Sequence, residues 1–177
     1  MFEGFDFTDF WDECSYANKN YVDEAPTDVL IAEIEQELGY KLPASYIWLM
    51  KQHNGGFPKH TACPSEEPTS WADDHAAVNG FLSIGREKPY SLCGRDGSRF
   101  WMEEWGYPDI GIAIADCPSG GHDMIFLDYR ECGRDGEPAV VCVDQEDDYR
   151  IVKLADNFES FIRSLRSEED YEEEEEE

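Results

Sequence analysis

The chain has 177 residues, of which 41% are hydrophobic and 14% aromatic, so it can bury the core of one globular domain. Its formal net charge is −27, and the charge is still −18 without the nine carboxylates of residues 168–177. An acidic surface repels phosphate backbones, which argues against direct nucleic-acid binding, and it attracts basic proteins. The alternative is that the acidity serves only solubility.

The N-terminal segment mixes aromatic and acidic residues. Phe7, Phe10, Trp11 and Cys14 are spaced i, i+3, i+4 and i+7, and this period predicts a short amphipathic helix. We expect its apolar side to dock on the body of the protein, so that the segment is not a separate domain.

Two helices with well-marked ends follow. Thr27 is a suitable cap for the first, and Gly39 ends it because glycine readily adopts the left-handed conformation. Pro43 suits the first turn of the second helix, where its missing N–H would have no partner. Residues 54–56 read Asn-Gly-Gly and stop this helix by the same left-handed conformation.

The rest of the chain has the pattern of short strands. A loop is predicted from His60 to His75. Beyond it, β-prone runs are separated by Gly, Asp and Pro, and they cover residues 80–84, 98–102, 110–115, 123–129, 138–143 and 149–154. Strands so close together favour an antiparallel or mixed sheet. A last helix beginning at Asp156 or Asn157 would cover that sheet.

These elements predict an α+β fold. We expect a single domain over residues 1–167, with a mainly antiparallel or mixed sheet of about six short strands packed by about four helices. Residues 168–177 carry like charges at every helical spacing and are predicted to form a disordered acidic tail.

The six cysteines are expected to be reduced. The chain has six of them, but its first residues lack the basic and apolar regions of a secretory leader. It also lacks a run of about 18 apolar residues that could span a membrane. We therefore expect free thiols and a cytoplasmic location. No Cys-x-x-Cys pair is present, which removes the simplest zinc and redox signatures.

Three blocks of residues, in order, resemble the SUKH superfamily, which includes the fungal Smi/Knr cell-wall-synthesis regulators and many bacterial relatives. The first block is a helix ending Glu-Leu-Gly, then Leu-Pro-x-x-Tyr, then Asn-Gly-Gly. In this chain the blocks are residues 37–56, then 104–108 with 120–123 and 126–129, and finally 136–141 with 157–162. The resemblance covers residues 27–165.

This resemblance implies an α+β scaffold and no catalysis. Bacterial members commonly act as immunity proteins that neutralise secreted polymorphic toxins, often nucleases. We therefore expect a non-catalytic domain that binds a basic partner, a cognate toxin domain, through an acidic surface. The alternatives are a regulatory or scaffold module that binds several cellular proteins and, less favoured, a hydrolase or metal-binding protein.

Two segments contain residue types that are used in catalysis or metal binding. Residues 119–123 place a serine, a histidine and an aspartate together, but the Gly-x-Ser-x-Gly elbow is missing. Metal ligands could come from Asp116, His122, Asp123 and Asp128. The acids of residues 144–148 lack the central glycine of a calcium loop. We expect no catalytic, cofactor or metal site.

Aromatic residues beside carboxylates are the pattern that suits an interface with a basic protein, since aromatics anchor while acids meet Lys and Arg. Of the tryptophans, Trp71 is the better surface candidate and Trp105 is more simply explained as a core residue. The partner-binding residues predicted from type and location are Trp71, Asp73, Asp74, Trp101, Glu103, Glu104, Asp144, Glu146, Asp147 and Asp148. The oligomeric state is left open.

Overall fold

The computed structural model describes the backbone of residues 1–176 and the side chains of residues 1–172. The helices are α1 (Ser15–Asn20), α2 (Asp28–Leu38), α3 (Ala44–Gln52), α4 (Ser98–Glu103), α5 (Phe158–Ser164) and α6 (Glu169–Glu176). The strands are β1 (Trp11–Asp12), β2 (Phe57–Pro58), β3 (Ala62–Pro64), β4 (His75–Ala77), β5 (Gly80–Phe81), β6 (Gly111–Asp116), β7 (Asp123–Asp128), β8 (Ala139–Asp144) and β9 (Arg150–Ala155). The predicted α+β class is confirmed.

The central sheet has the order β5-β6-β7-β8-β9, and every neighbouring pair is antiparallel. Short turns at residues 117–122 and 145–149 therefore lie at one end of the sheet. The connection at residues 129–138 lies at the opposite end. Two further antiparallel pairs, β1-β2 and β3-β4, stand outside this sheet.

Both faces of the sheet are covered. In β8, Val140 and Cys142 belong to one buried cluster, which also contains Phe158 and Phe161 of α5. The alternate residues Val141 and Val143 belong to a second cluster on the other face. This alternation is why β8 is apolar at successive positions, since a strand buried on both sides has no solvent-facing residue.

The predicted helix ends are confirmed for α2 and α3. The Thr27 hydroxyl accepts a hydrogen bond from the Leu30 N–H at 3.1 Å, and Gly39 ends α2 with φ +83°. Pro43 is the residue just before α3. After α3, Gly55 and Gly56 have φ values of +88° and +128°, which favour glycine.

Three local predictions are wrong. Residues 7–14 form turns and the short strand β1 instead of an amphipathic helix, and the first helix begins only at Ser15. The aromatic side chains of the N-terminal segment instead make tertiary contacts: the rings of Phe2 and Phe7 pack against Trp48 of α3, with 5.3 and 5.5 Å between centroids. The β-prone run 98–102 is helix α4, and the predicted 60–75 loop contains strand β3 and the first residue of β4.

The acidic C-terminal segment also differs from the prediction of a disordered tail over residues 168–177. Residues Glu169–Glu176 form α6. The start of this helix is held by tertiary contacts, because the Glu168 carboxylate and the Tyr171 ring both contact His75. Residue 177 lies outside the described residues.

The six cysteines are free thiols, as expected, and Cys142 is buried within β8. Among the described residues, no helix is both long enough and apolar enough to cross a membrane.

Candidate protein-binding surface

Three connecting segments meet at one end of the central sheet. The backbone N–H of Gln145 donates to the His122 carbonyl at 2.9 Å, which joins the two short turns. Arg150, at the start of β9, donates to the Pro68 carbonyl at 2.6 Å and so attaches the loop that contains Trp71. The sequence alone does not show that this loop lies beside the turns.

The C-terminal end of α4 joins the same surface. The Trp105 ring lies edge-on to the His122 ring, with 6.2 Å between centroids, and the Tyr149 hydroxyl donates to the Trp105 carbonyl. Gly121 is needed at this contact, because a Cβ there would lie 2.8 Å from the Trp105 ring. Trp105 is half-buried, so part of its ring packs and part faces solvent.

Six exposed carboxylates lie on these segments, and we call them the acidic rim: Asp73, Asp74, Glu104, Glu146, Asp147 and Asp148. Three of them have nearby bases: Asp147 pairs with Arg150 at 2.7 Å, Glu146 with His122 at 3.2 Å, and Asp74 with His75 at 2.7 Å.

The other three rim carboxylates, those of Asp73, Glu104 and Asp148, have no hydrogen-bonding or ion-pair partner among the described residues. The rim therefore carries negative charge that the protein itself does not neutralise. Such charge attracts a basic partner and is available to pair with its Lys and Arg side chains.

Two of the ten predicted partner-binding residues are buried, so the prediction is wrong for them. Trp101 is 6% exposed and its indole N–H donates to the Asp96 carbonyl at 3.0 Å. Asp144 is also 6% exposed, and its carboxylate accepts from the Glu146 N–H at 3.1 Å, which caps the following turn. Both residues therefore lie beneath the surface. Trp101, on helix α4, belongs to the second core cluster.

A third predicted residue, Glu103, is exposed and precedes the rim residue Glu104, but it borders a different feature of the surface. It lines a groove of about 610 Å³ between the end of α2 and α4. Arg99 and Arg134 line the same groove, so its charge is mixed. This groove therefore lacks the one-sided charge of the acidic rim.

Trp71 is the exposed aromatic residue of the surface, with 44% of its area accessible. Its indole N–H donates to Oε1 of Glu168 at 3.2 Å, and Nε2 of His75 lies 2.6 Å from the same oxygen. The Tyr171 ring stacks on the His75 ring with 3.8 Å between centroids. The acidic start of α6 is thus placed directly beside Trp71.

His75 joins the two acidic segments electrostatically. Its burial lowers the pKa of the imidazole, but hydrogen bonds and charges from Asp74 and Glu168 outweigh burial and raise that pKa above its ordinary value. When it is protonated, the ring donates to both carboxylates and offsets part of their negative charge. The sequence analysis missed this residue because its partner Glu168 lies 93 positions away.

The catalytic and metal sets considered from the sequence are not assembled. The Ser119 hydroxyl donates to Asp123, while His122 turns to Glu146, so no Ser–His pair forms among the described residues. Asp128 lies at the opposite end of β7 from Asp123, where it pairs with Arg130 at 2.8 Å. In the 144–148 segment, the side chains pair with bases, cap the backbone or face solvent.

The fold and its surface define an acidic α+β domain that presents charged and aromatic side chains on turns and loops at one end of a sheet. Residues 25–164 match the model of the SMI1 / KNR4 family (SUKH-1), so the chain belongs to that family. No curated protein matches the chain.

Proposed function

We propose that this protein is an immunity protein, a non-catalytic domain that neutralises a toxin by binding its basic surface through the acidic rim. The observation that supports the proposal is that three of the six rim carboxylates have no basic partner among the described residues, on a surface that also carries two partly exposed tryptophans. Membership of the SUKH-1 family agrees with such a role. A nuclease domain, whose own site attracts phosphates, is the toxin type whose charge fits the rim best.

The two kinds of side chain would have separate effects on binding. Long-range attraction between the rim and a basic partner speeds encounter, and it weakens as salt screens the charges. An aromatic ring buried at the interface instead slows dissociation, because its contacts form only in the docked complex. Trp71 suits the second role, since it is exposed and its ring is oriented by the bond to Glu168.

Co-expression tests this function directly. The chain is produced together with the product of any toxin-like gene that lies beside its own, and growth and co-purification are both measured. The proposal expects growth to be rescued and one dedicated partner to be recovered. Failure to bind that product or to rescue growth contradicts it, and recovery of several unrelated partners indicates a regulatory module instead.

A further inference from the structure

Three side chains of metal-ligating type converge beneath the turn that joins β6 and β7. Cys117 follows β6, Asp123 begins β7, and Cys142 lies in β8. Their two sulfurs and one carboxylate oxygen all lie within 4.8 Å of one another. The exposed fractions of these residues are only 2%, 1% and 1%.

The strand register places two of these residues on one face. Cys142 pairs with Ile125, and Asp123 is two positions before Ile125 on the same strand, so both project to the same side of the sheet. Asp116 pairs with Met124, which brings the next residue, Cys117, to the same place. Two of the donors are thus held by a regular hydrogen-bonded ladder and not by a flexible loop.

The Asp123 carboxylate is buried with no positively charged side chain paired to it among the described residues. Its oxygens accept hydrogen bonds from the Ser119 hydroxyl and, at 3.6 Å, from the Cys142 thiol. No Lys or Arg in the described part of the chain forms an ion pair with it. Burying a carboxylate without a positive partner is costly, and a bound cation removes that cost.

We infer that Cys117, Asp123 and Cys142 bind one thiophilic divalent cation of the Zn²⁺ type. Zn²⁺ accepts mixed thiolate and carboxylate ligands, with Zn–S and Zn–O distances of about 2.3 and 2.1 Å. Ligands around such an ion lie about 3.5–4 Å apart, so the observed separations need little closing. Three protein donors leave the fourth tetrahedral position to water, and each thiol releases its proton to solvent on binding.

The sequence shows no motif for this site, and the strand pairing explains why. Zinc motifs are recognised by cysteines a few residues apart, whereas these two cysteines are brought together by the pairing of β6, β7 and β8. A cation at this point would connect the three strands beneath the acidic rim. The inference does not depend on the proposed function.

Cobalt provides the test, because thiolate–Co²⁺ bonds absorb in the near ultraviolet. The full chain is purified, stripped with a chelator and kept reduced with a phosphine, then titrated with Co²⁺. We expect a thiolate charge-transfer band that saturates at one equivalent and is lost when Zn²⁺ is added. Thermal unfolding should also move to higher temperature with Zn²⁺.

Substitutions identify the ligands. Cys117→Ser and Cys142→Ser should abolish the band, while Cys63→Ser, also a buried thiol but outside the cluster, should keep it. Asp123→Asn retains both thiols and the side-chain shape and should weaken Co²⁺ binding, with circular dichroism confirming the fold. The inference is overturned if wild type gives no band, if Cys142→Ser keeps it, or if mass spectrometry finds a Cys117–Cys142 disulfide under the reductant.

Discussion

Asn54 shows what a single buried polar residue contributes to this fold. Its amide donates to the carbonyls of Glu24 and Ile84 at 2.8 and 3.1 Å, and its Oδ1 accepts from the Ile84 N–H at 2.8 Å. The glycines that follow it were predictable as a helix stop, because left-handed backbone is a local property. The bonds of Asn54 were not, because Ile84 lies 30 positions away.

Replacing Asn54 by alanine should therefore lower the free energy of unfolding by about 2–4 kcal/mol, since it leaves buried backbone groups without partners. Urea unfolding measures the change. Asn18→Ala is the matched control, because Asn18 is exposed, and it should shift stability by no more than about 0.5 kcal/mol. Equal effects of the two substitutions would contradict the role assigned to Asn54.

Asp116 gives a second residue-scale prediction, on pH. Burial raises the pKa of Asp116 to about 6, although Asn79 and Tyr21 donate hydrogen bonds that lower it. Because this pKa lies above the unfolded value of about 3.9, the stabilising contribution is present below the unfolded pKa and is lost as pH rises through the folded pKa.

Asp116→Asn keeps the shape of the side chain and cannot ionise. Its stability relative to wild type should rise by about 1.5 kcal/mol between about pH 5 and pH 8. Denaturant unfolding of both proteins at the two pH values measures this difference, and groups common to both cancel. A stability difference that does not change with pH would show that Asp116 titrates normally in the fold.

At the scale of elements, the sequence predicted those whose signals are local. Helices α2 and α3 have their own caps and stops, and strands β6 to β9 are apolar runs between turns. The prediction failed for α4 and for α6. Residues 98–102 are β-prone locally, but they form a helix that buries Trp101 in the second core cluster. Like charges disfavour α6 as an isolated helix, but contacts of Glu168 and Tyr171 with His75 anchor its start.

Docking of α6 should depend on the charge of His75. The raised pKa of His75 means that its stabilising contribution is fully present below the unfolded pKa of about 6.5 and is lost as pH rises through the folded pKa. We expect amide protection at residues 169–172, corrected for intrinsic exchange, to fall as pH is raised from about 6 to about 8. Hydrogen exchange with α5 as internal reference measures it.

His75→Gln should give low protection in this segment at both pH values, because glutamine cannot carry the charge that pairs with Asp74 and Glu168. His60→Gln is the control, since His60 is exposed. Protection that does not respond to pH or to the His75 substitution would contradict the role assigned to His75 in holding the helix.

At the scale of the whole molecule, the sequence indicated the sign of the charge and the residue types of a binding surface, but not their arrangement. Loop acids such as Asp73 and turn acids such as Asp148 were predictable as exposed, because turns are polar. Their grouping depends on Arg150 reaching the loop at Pro68. The sequence analysis assigned Trp101 to the surface and Trp105 to the core, but α4 buries Trp101 and Trp105, which follows this helix, is only half-buried. Residue type could not show this, because it depends on the direction in which the helix turns each side chain.

The most direct test of the account is the association rate of the purified protein with the basic toxin domain recovered by co-expression. The variant Asp73→Asn, Glu104→Gln, Asp148→Asn neutralises three rim carboxylates. Its matched control, Glu131→Gln, Asp135→Asn, Glu137→Gln, removes the same charge from exposed residues at the opposite end of the sheet. The rim variant should associate about tenfold more slowly than wild type at low salt, with the difference shrinking at high salt, whereas the control should change little. Equal slowing in both variants, or none in the rim variant, would contradict binding through the acidic rim.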